Sequence, residues 1–176
     1  EKGTLLKCAP PLRDESARAG LWEYVLDGTL DCIVSDHSPA SKEEKLDDNG
    51  EKSIWEVWSG ISGVQTGFQI IFNEIYHKKN LCPSYVAKAM SYGPAKAFGL
   101  YPEKGTISIG SDGDFVIFDP EKEWEITEES LFYVNKISGF SGLKGKGCPD
   151  ATIVRGQVIY QNGEIIGEPG YGRLIK

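Results

Sequence analysis

Apolar and polar positions alternate in two different rhythms along this chain, and the change falls near residue 102. Before it, short apolar runs alternate with helical patterns. Thr4 to Cys8 reads as a strand that ends at Pro10-Pro11, where a ladder cannot continue. Asp14 is placed to cap a helix from Glu15 to Leu26, with Ala17, Leu21, Trp22, Val25 and Leu26 on one face and Gly28 as its stop. Asp31 to Ser35 then reads as a short buried strand that leaves into a turn at Ser35-Asp36-His37-Ser38-Pro39. That is β-α-β order.

Residues 41–53 are polar and read as an exposed loop, and Gly60 and Gly63 bracket a second loop. Val64, Phe68, Ile71, Phe72 and Ile75 mark the buried side of a helix ending near Lys79. Pro83 opens another helix to about Met90, and Gly93-Pro94 is expected to interrupt it before a last turn to Phe98. After Tyr101 the rhythm becomes β. Strands are expected at 106–109, 114–119, 124–126 and 151–160, and Asn162-Gly163 is the strongest hairpin signal. The predicted division is 1–102 and 103–176.

Composition narrows the function. Nineteen Lys and Arg against 26 Asp and Glu give a net charge of −7, which argues against a nucleic-acid partner. No apolar run approaches the roughly 18 residues of a membrane span, and no charged-then-apolar leader stands at the front. Cys8, Cys32, Cys82 and Cys148 are far apart and form no C-x-x-C, so they read as reduced thiols of a cytoplasmic protein. The two histidines, His37 and His77, are too few for a histidine-rich metal site.

Asp36 is the leading candidate for chemistry, because a carboxylate just past the carboxyl end of an apolar strand sits where barrel enzymes gather their active sites. The alternative is that Asp36 only caps the Ser38-Pro39 turn. In an extended segment His37 would point away from Asp36, which leaves it the role of a hydrogen-bonded histidine holding the turn. His77 suits a helix carboxyl end as a structural or surface residue. Ser59 and Ser62 have no histidine placed in sequence to serve as base, Trp55 and Trp58 read as packing, and Glu121 to Glu129 as a solvated face.

Four blocks, taken together and in this order, carry a family resemblance. They are Lys7-Cys8-Ala9-Pro10-Pro11-Leu12-Arg13; Asp27-Gly28-Thr29 leading to Ser35-Asp36-His37-Ser38-Pro39; Gly93-Pro94-Ala95-Lys96-Ala97-Phe98-Gly99-Leu100; and Lys104-Gly105-Thr106-Ile107 through Gly110-Ser111-Asp112-Gly113-Asp114-Phe115-Val116. A fifth, Ile153-Val154-Arg155-Gly156 with its hairpin, resembles the family's last strands. The set resembles the cyclic amidohydrolases: allantoinases, hydantoinases or dihydropyrimidinases, and dihydroorotases. Ala40 stands where dihydroorotases carry a histidine, and the Ser-Asp-His-Ser-Pro form is most similar to allantoinases. Asn135 departs from the family pattern, in which a histidine is expected.

The resemblance implies an α/β fold, with 1–102 as the last strand–helix units of a (β/α)8 barrel and 103–176 as a small β domain, incomplete without amino-terminal strands. A whole barrel takes about 250 residues, so 176 cannot hold one and a β domain besides. It further implies hydrolysis of a small cyclic amide or ureide by a homo-oligomeric parent, as in opening allantoin to allantoate. Two divalent metal ions, expected to be zinc, would lie in that parent, the chain alone being inactive and metal-free. Asp36 would be both metal ligand and proton shuttle, and backbone groups of Ser59 and Gly60 would bind the substrate ring. The competing expectation is a non-catalytic amidohydrolase-like assembly protein in which Asp36 is a relic.

Overall fold

The computed structural model describes residues 3–46 and 52–175. The first long helix forms as local chemistry dictates. Asp14 accepts a hydrogen bond from the Ala17 N–H at 2.9 Å, α1 runs Glu15–Asp27, and Gly28 ends it at φ 90°. The strands expected on either side of α1 do not form ladders. Gly3–Leu6 is a 3-10 turn, and 31–35 is irregular, tied by the Ile33 N–H to the Ala89 carbonyl at 2.9 Å. An inner strand of a parallel sheet draws its hydrogen bonds from neighbours distant in sequence. Here the described residues supply one parallel contact, His37 beside Ile61.

A short turn α2 (Lys42–Lys45) opens with a reciprocal cap: Ser41 accepts the Glu44 N–H and the Glu44 carboxylate accepts the Ser41 N–H. It lies inside the segment expected to be an exposed loop, whose residues 47–51 fall outside the described ones. α3 (Gly67–Phe72) widens into a π-helical stretch, Asn73–Lys78, and stops at Lys79 as the pattern predicts. α4 (Ser84–Ala87), a second π stretch (Lys88–Tyr92) and α5 (Gly93–Ala97) follow without a break. Gly93-Pro94 therefore does not interrupt. Pro94 occupies the first turn of α5, where a missing N–H costs little. Gly93 is needed for another reason: a Cβ there would lie 2.0 Å from the Asp31 carbonyl oxygen.

The carboxyl-terminal sheet is antiparallel in the order β1 (Phe115–Glu125), β2 (Lys144–Val154), β3 (Gln157–Gln161), β4 (Glu164–Ile165). The strands expected at 114–119 and 124–126 are one strand with a register shift between Asp119 and Glu123. The run 106–109 forms no strand. The turn at Asn162-Gly163 has both residues at positive φ, 51° and 92°, as a tight hairpin requires. A second such turn, Arg155-Gly156 at 46° and 79°, divides what reads in sequence as one strand.

Phe72, Ile75 and Val86 are buried at the centre, with Trp22, Phe68, Met90 and Phe118 packed around them. Phe118 of β1 meets Phe72 at 4.1 Å between ring centres, which joins the helices to the sheet. Polar ties run alongside. The Asn73 side-chain oxygen accepts the Lys146 N–H at 3.0 Å, and His77 donates to the Pro120 carbonyl at 2.7 Å. Among the described residues no helix is long and apolar enough to cross a membrane.

Candidate functional site

Asp36 stands exposed where the irregular segment 31–35 meets the 58–63 loop. Its φ of 41° places it in the left-handed region, which a non-glycine residue seldom occupies, although Asp tolerates it better than most. The strict alternation expected of a strand therefore fails at this residue, and the argument that turned His37 away from Asp36 on that ground fails with it. Ser38 is joined to the loop by its N–H to the Ile61 carbonyl at 3.1 Å. Gly60 packs so tightly on Ser38 that a Cβ would lie 2.2 Å from its hydroxyl oxygen, and the Trp58 indole N–H donates to that hydroxyl at 3.0 Å. The structure thus brings the segment carrying Asp36 alongside the segment carrying Ser59 and Gly60.

His37 holds this junction. Its Nδ1 accepts the N–H groups of Gly63 at 3.1 Å and Val64 at 3.3 Å, and the ring lies tilted against Tyr133 at 5.2 Å. Two donors aimed at Nδ1 place the ring proton on Nε2. Tyr133 accepts the Gln65 N–H at 3.0 Å, and the Gln65 side chain spans the Ser130 carbonyl and the Phe132 N–H, at 2.8 Å each. The loop is braced from behind by residues 130–133. Trp55 and Trp58, expected as packing residues, are 84% and 47% exposed, and Trp58 instead hydrogen-bonds Ser38, a role that helical spacing does not reveal.

Beneath the loop sits a residue that sequence reasoning missed. Lys45 is 3% exposed, and its ammonium donates to the carbonyls of Lys7 at 2.6 Å, Trp58 at 3.0 Å and Gly60 at 2.6 Å. Burial pushes its pKa below the usual lysine value, and the Lys7 ammonium acts in the same direction. Lys7 in turn donates to the carbonyls of Trp55 at 3.2 Å and Val57 at 2.5 Å. The signal was present in the sequence as Ser41-x-x-Glu44, a capping box that starts a turn inside an otherwise polar stretch.

The donor set for metal can be weighed on the same geometry. Among the described residues no three His, Cys, Asp or Glu side chains converge on one point, so Asp36 stands there as a single carboxylate. These residues do not by themselves fit a two-metal centre. A cleft of about 1030 Å3 lies elsewhere, between α4–α5 and the face of β1 and β2. Its wall is apolar, with Phe68, Phe98, Ile107, Val116 and Ile153, and Lys104 on its lining is spent on Asp112 and Asp114.

The chain is 39% identical over 160 residues to an allantoinase of Escherichia coli O139:H28, covering 91% of this chain and 34% of that one. It is 37% identical over 173 residues to an allantoinase of Bacillus licheniformis, covering 98% and 37%. Among solved structures, D-hydantoinase (dihydropyrimidinase) from Thermus sp. superposes with a TM-score of 0.89 at 32% identity, and L-hydantoinase from Arthrobacter aurescens with 0.90 at 33%. These alignments cover 97% and 98% of this chain and 37% and 38% of those chains. The chain therefore spans about a third of the length of these relatives, and its fold is that of the matching part of barrel amidohydrolases. Residues 7–159, from the lysine-pinned loop through the sheet, also match the model of the amidohydrolase family, and to that family the chain belongs.

Proposed function

We propose that this chain forms the closing part of a cyclic amidohydrolase of the allantoinase kind, which opens the ring of a small cyclic ureide by hydrolysis of a C–N bond. In this reading 1–102 completes the barrel and 103–176 belongs to a small β domain. The observation that carries it is Asp36: an exposed carboxylate at the junction of two loops, in a left-handed backbone conformation, beside the segment that holds Ser59 and Gly60. Water adds to the ring carbonyl carbon while Asp36 takes its proton. The C–N bond then breaks as Asp36 returns that proton to the departing nitrogen, leaving a carboxylate and an open ureide. Ser59 and the Gly60 N–H bind the ring. Among the described residues neither the Ser59 main chain nor the Gly60 N–H is engaged in a hydrogen bond, whereas the Gly60 carbonyl is held by Lys45.

Apolar side chains left in solvent support the view that more chain packs here. Val34 is 61% exposed, Ile107 83% and Leu21 55%, each in a position where a core would cover it. The amidohydrolase family is generally metal-dependent, and a divalent metal pair, with zinc the expected identity, would be assembled with residues beyond this chain. Asp36 would contribute one carboxylate to it. The test is turnover of allantoin, hydantoin and dihydroorotate by a chain extended to the length of the relatives. Allantoin should be the best substrate, and Asp36→Asn should lower its turnover by about 10²–10⁴-fold with the fold unchanged. Near-normal turnover by Asp36→Asn would reject the assignment.

A further inference from the structure

We propose that Lys45, seconded by Lys7, is the positioning residue that presents the Ser59 N–H to the substrate ring. This rests on the functional reading above and adds to it the group that sets ring binding. An ammonium has three N–H donors and no acceptor, and Lys45 spends all three on the carbonyls of Lys7, Trp58 and Gly60. None is left for a substrate or a water, so Lys45 neither gives nor takes a proton in the reaction. A buried ammonium persists only if its donors are satisfied, and here the satisfaction is geometric: three carbonyls from two separate segments meet at one nitrogen.

The consequence follows from peptide geometry. A trans peptide carries its C=O and N–H on opposite sides of the chain. Turning the Trp58 carbonyl down to Lys45 turns the Ser59 N–H up, away from the lysine. The Val57 carbonyl is turned the other way, to Lys7. Consecutive carbonyls of the loop are therefore drawn to two different ammonium groups, and the peptide between Trp58 and Ser59 is held in the orientation that gives its carbonyl to Lys45. Gly60 reinforces it, because its contact with Ser38 leaves no room for a side chain that would lift the loop. Lys45 sits on α2, which its own capping box fixes.

A hydrogen bond from Ser59 to a ring carbonyl is made alike in the bound substrate and in the transition state. Its loss raises KM and leaves kcat largely in place. In the chain extended to the relatives' length, Lys45→Met is expected to raise KM for allantoin at least tenfold with kcat within threefold. Amide hydrogen exchange at Trp58 and Gly63, whose N–H groups are held by the Glu44 carbonyl and His37 Nδ1, should quicken at least tenfold while α1 and β2 stay as they were. Lys45→Arg keeps the charge but spreads its donors over a planar fork, so it should leave KM raised. A restored KM in that variant, or an unchanged KM in Lys45→Met, overturns the proposal. Should Lys45→Met not fold, Lys7→Met is read instead. It releases the Trp55 and Val57 carbonyls and should raise KM by a smaller factor, and an unchanged KM there also overturns it. If the wild-type extended chain hydrolyses no cyclic amide, the functional reading fails by itself. The exchange experiment then decides the clamp alone, with unchanged exchange in Lys45→Met counting against it.

Discussion

Two corners of this molecule hold a lysine, and they do so in opposite ways. At the sheet corner Lys104 lies between Asp112 and Asp114 and pairs with both. Asp114 also accepts the Arg155 N–H at 2.7 Å, and Gly113 accepts the Gly156 N–H at 2.9 Å, so the block 104–114 is latched onto the hairpin turn. At the Asp36 corner Lys45 meets main-chain carbonyls, and Asp36 has no ion pair among the described residues. Both corners are glycine-rich and both belong to family blocks. The difference is where the carboxylate charge goes: at one corner it is neutralised by a lysine, and at the other it has no ion pair among the described residues, which is the charge our proposal assigns to the reaction.

The sharpest way to break that contrast is to neutralise each carboxylate. Asp36→Asn is expected to leave the urea midpoint of the chain within error, while turnover in the extended enzyme falls by the 10²–10⁴-fold already stated. Asp114→Asn should do the reverse, leaving kcat near its starting value and lowering stability. A large stability loss at Asp36 would erase the distinction between the two corners.

The glycines test it at the next level. Gly60→Ala puts a Cβ 2.2 Å from the Ser38 Oγ and 2.5 Å from its Cβ, so one segment must shift. About 1–3 kcal/mol of stability should be lost, with KM raised as the loop lifts. Gly113→Ala meets the Gly156 nitrogen at 3.1 Å, a contact that a few tenths of an ångström relieves, so less is lost and KM holds. Chemical denaturation of the two variants side by side gives the ranking. Equal losses would show that the Ser38–Gly60 contact is no tighter than the latch.

Asp114→Asn should cost about 1–3 kcal/mol at neutral pH, the range for a half-buried charge-assisted bond. Burial pushes Asp114 up, yet the Lys104 ammonium and the Arg155 N–H together hold its pKa below the usual Asp value. Hydrogen bonds to Asp112 and Asp114 hold Lys104 above the usual lysine value. The signs follow. A lowered Asp pKa gives stability that is complete above about pH 4 and is lost as pH falls through the folded value. A raised Lys pKa gives stability complete below about pH 10 and lost as pH rises through its folded value. The difference between wild type and Asp114→Asn should therefore be flat across neutral pH and shrink in acid, and again in alkali above about pH 10 as Lys104 loses its proton. A difference that shrinks between pH 6 and 8 would mean that another group controls the latch.

What the sequence makes legible are features whose cause is local. Asp14 and Gly28 bound α1 because a cap needs only its own turn, and Asn162-Gly163 makes a hairpin because both residues accept positive φ. Arg155-Gly156 makes the same turn unannounced. Arginine is no usual left-handed residue, and the support comes from Asp114, 41 positions away. The strands at 4–8 and 31–35 fail for the related reason that a ladder needs partners. Asp36 is legible as a carboxylate after an apolar run, but Lys45 is not. Its burial depends on three carbonyls scattered from residue 7 to residue 60, and only the capping box before it gives a local hint.

The smallest effects belong to the acidic stretch on β1, which reads in sequence as a solvated face. Glu123 lies opposite Lys146 and Glu125 opposite Lys144 in the β1–β2 register, and Lys144 reaches Glu125 at 2.8 Å. Lys146 is 3.7 Å from Glu121 and 3.9 Å from Glu123. Every one of these side chains is more than 40% exposed, so water and salt screen the pairs. Lys144→Ala and Lys146→Ala should each cost no more than about 1 kcal/mol, and the cost should fade in 1 M salt. The latch at Lys104 differs in depth more than in chemistry: its lysine is 17% exposed. If Lys146→Ala cost as much as Asp114→Asn and resisted salt, the pairs on the strand face would be holding the sheet as firmly as the latch does. Burial would then not be what separates a structural charge from a solvated one in this molecule.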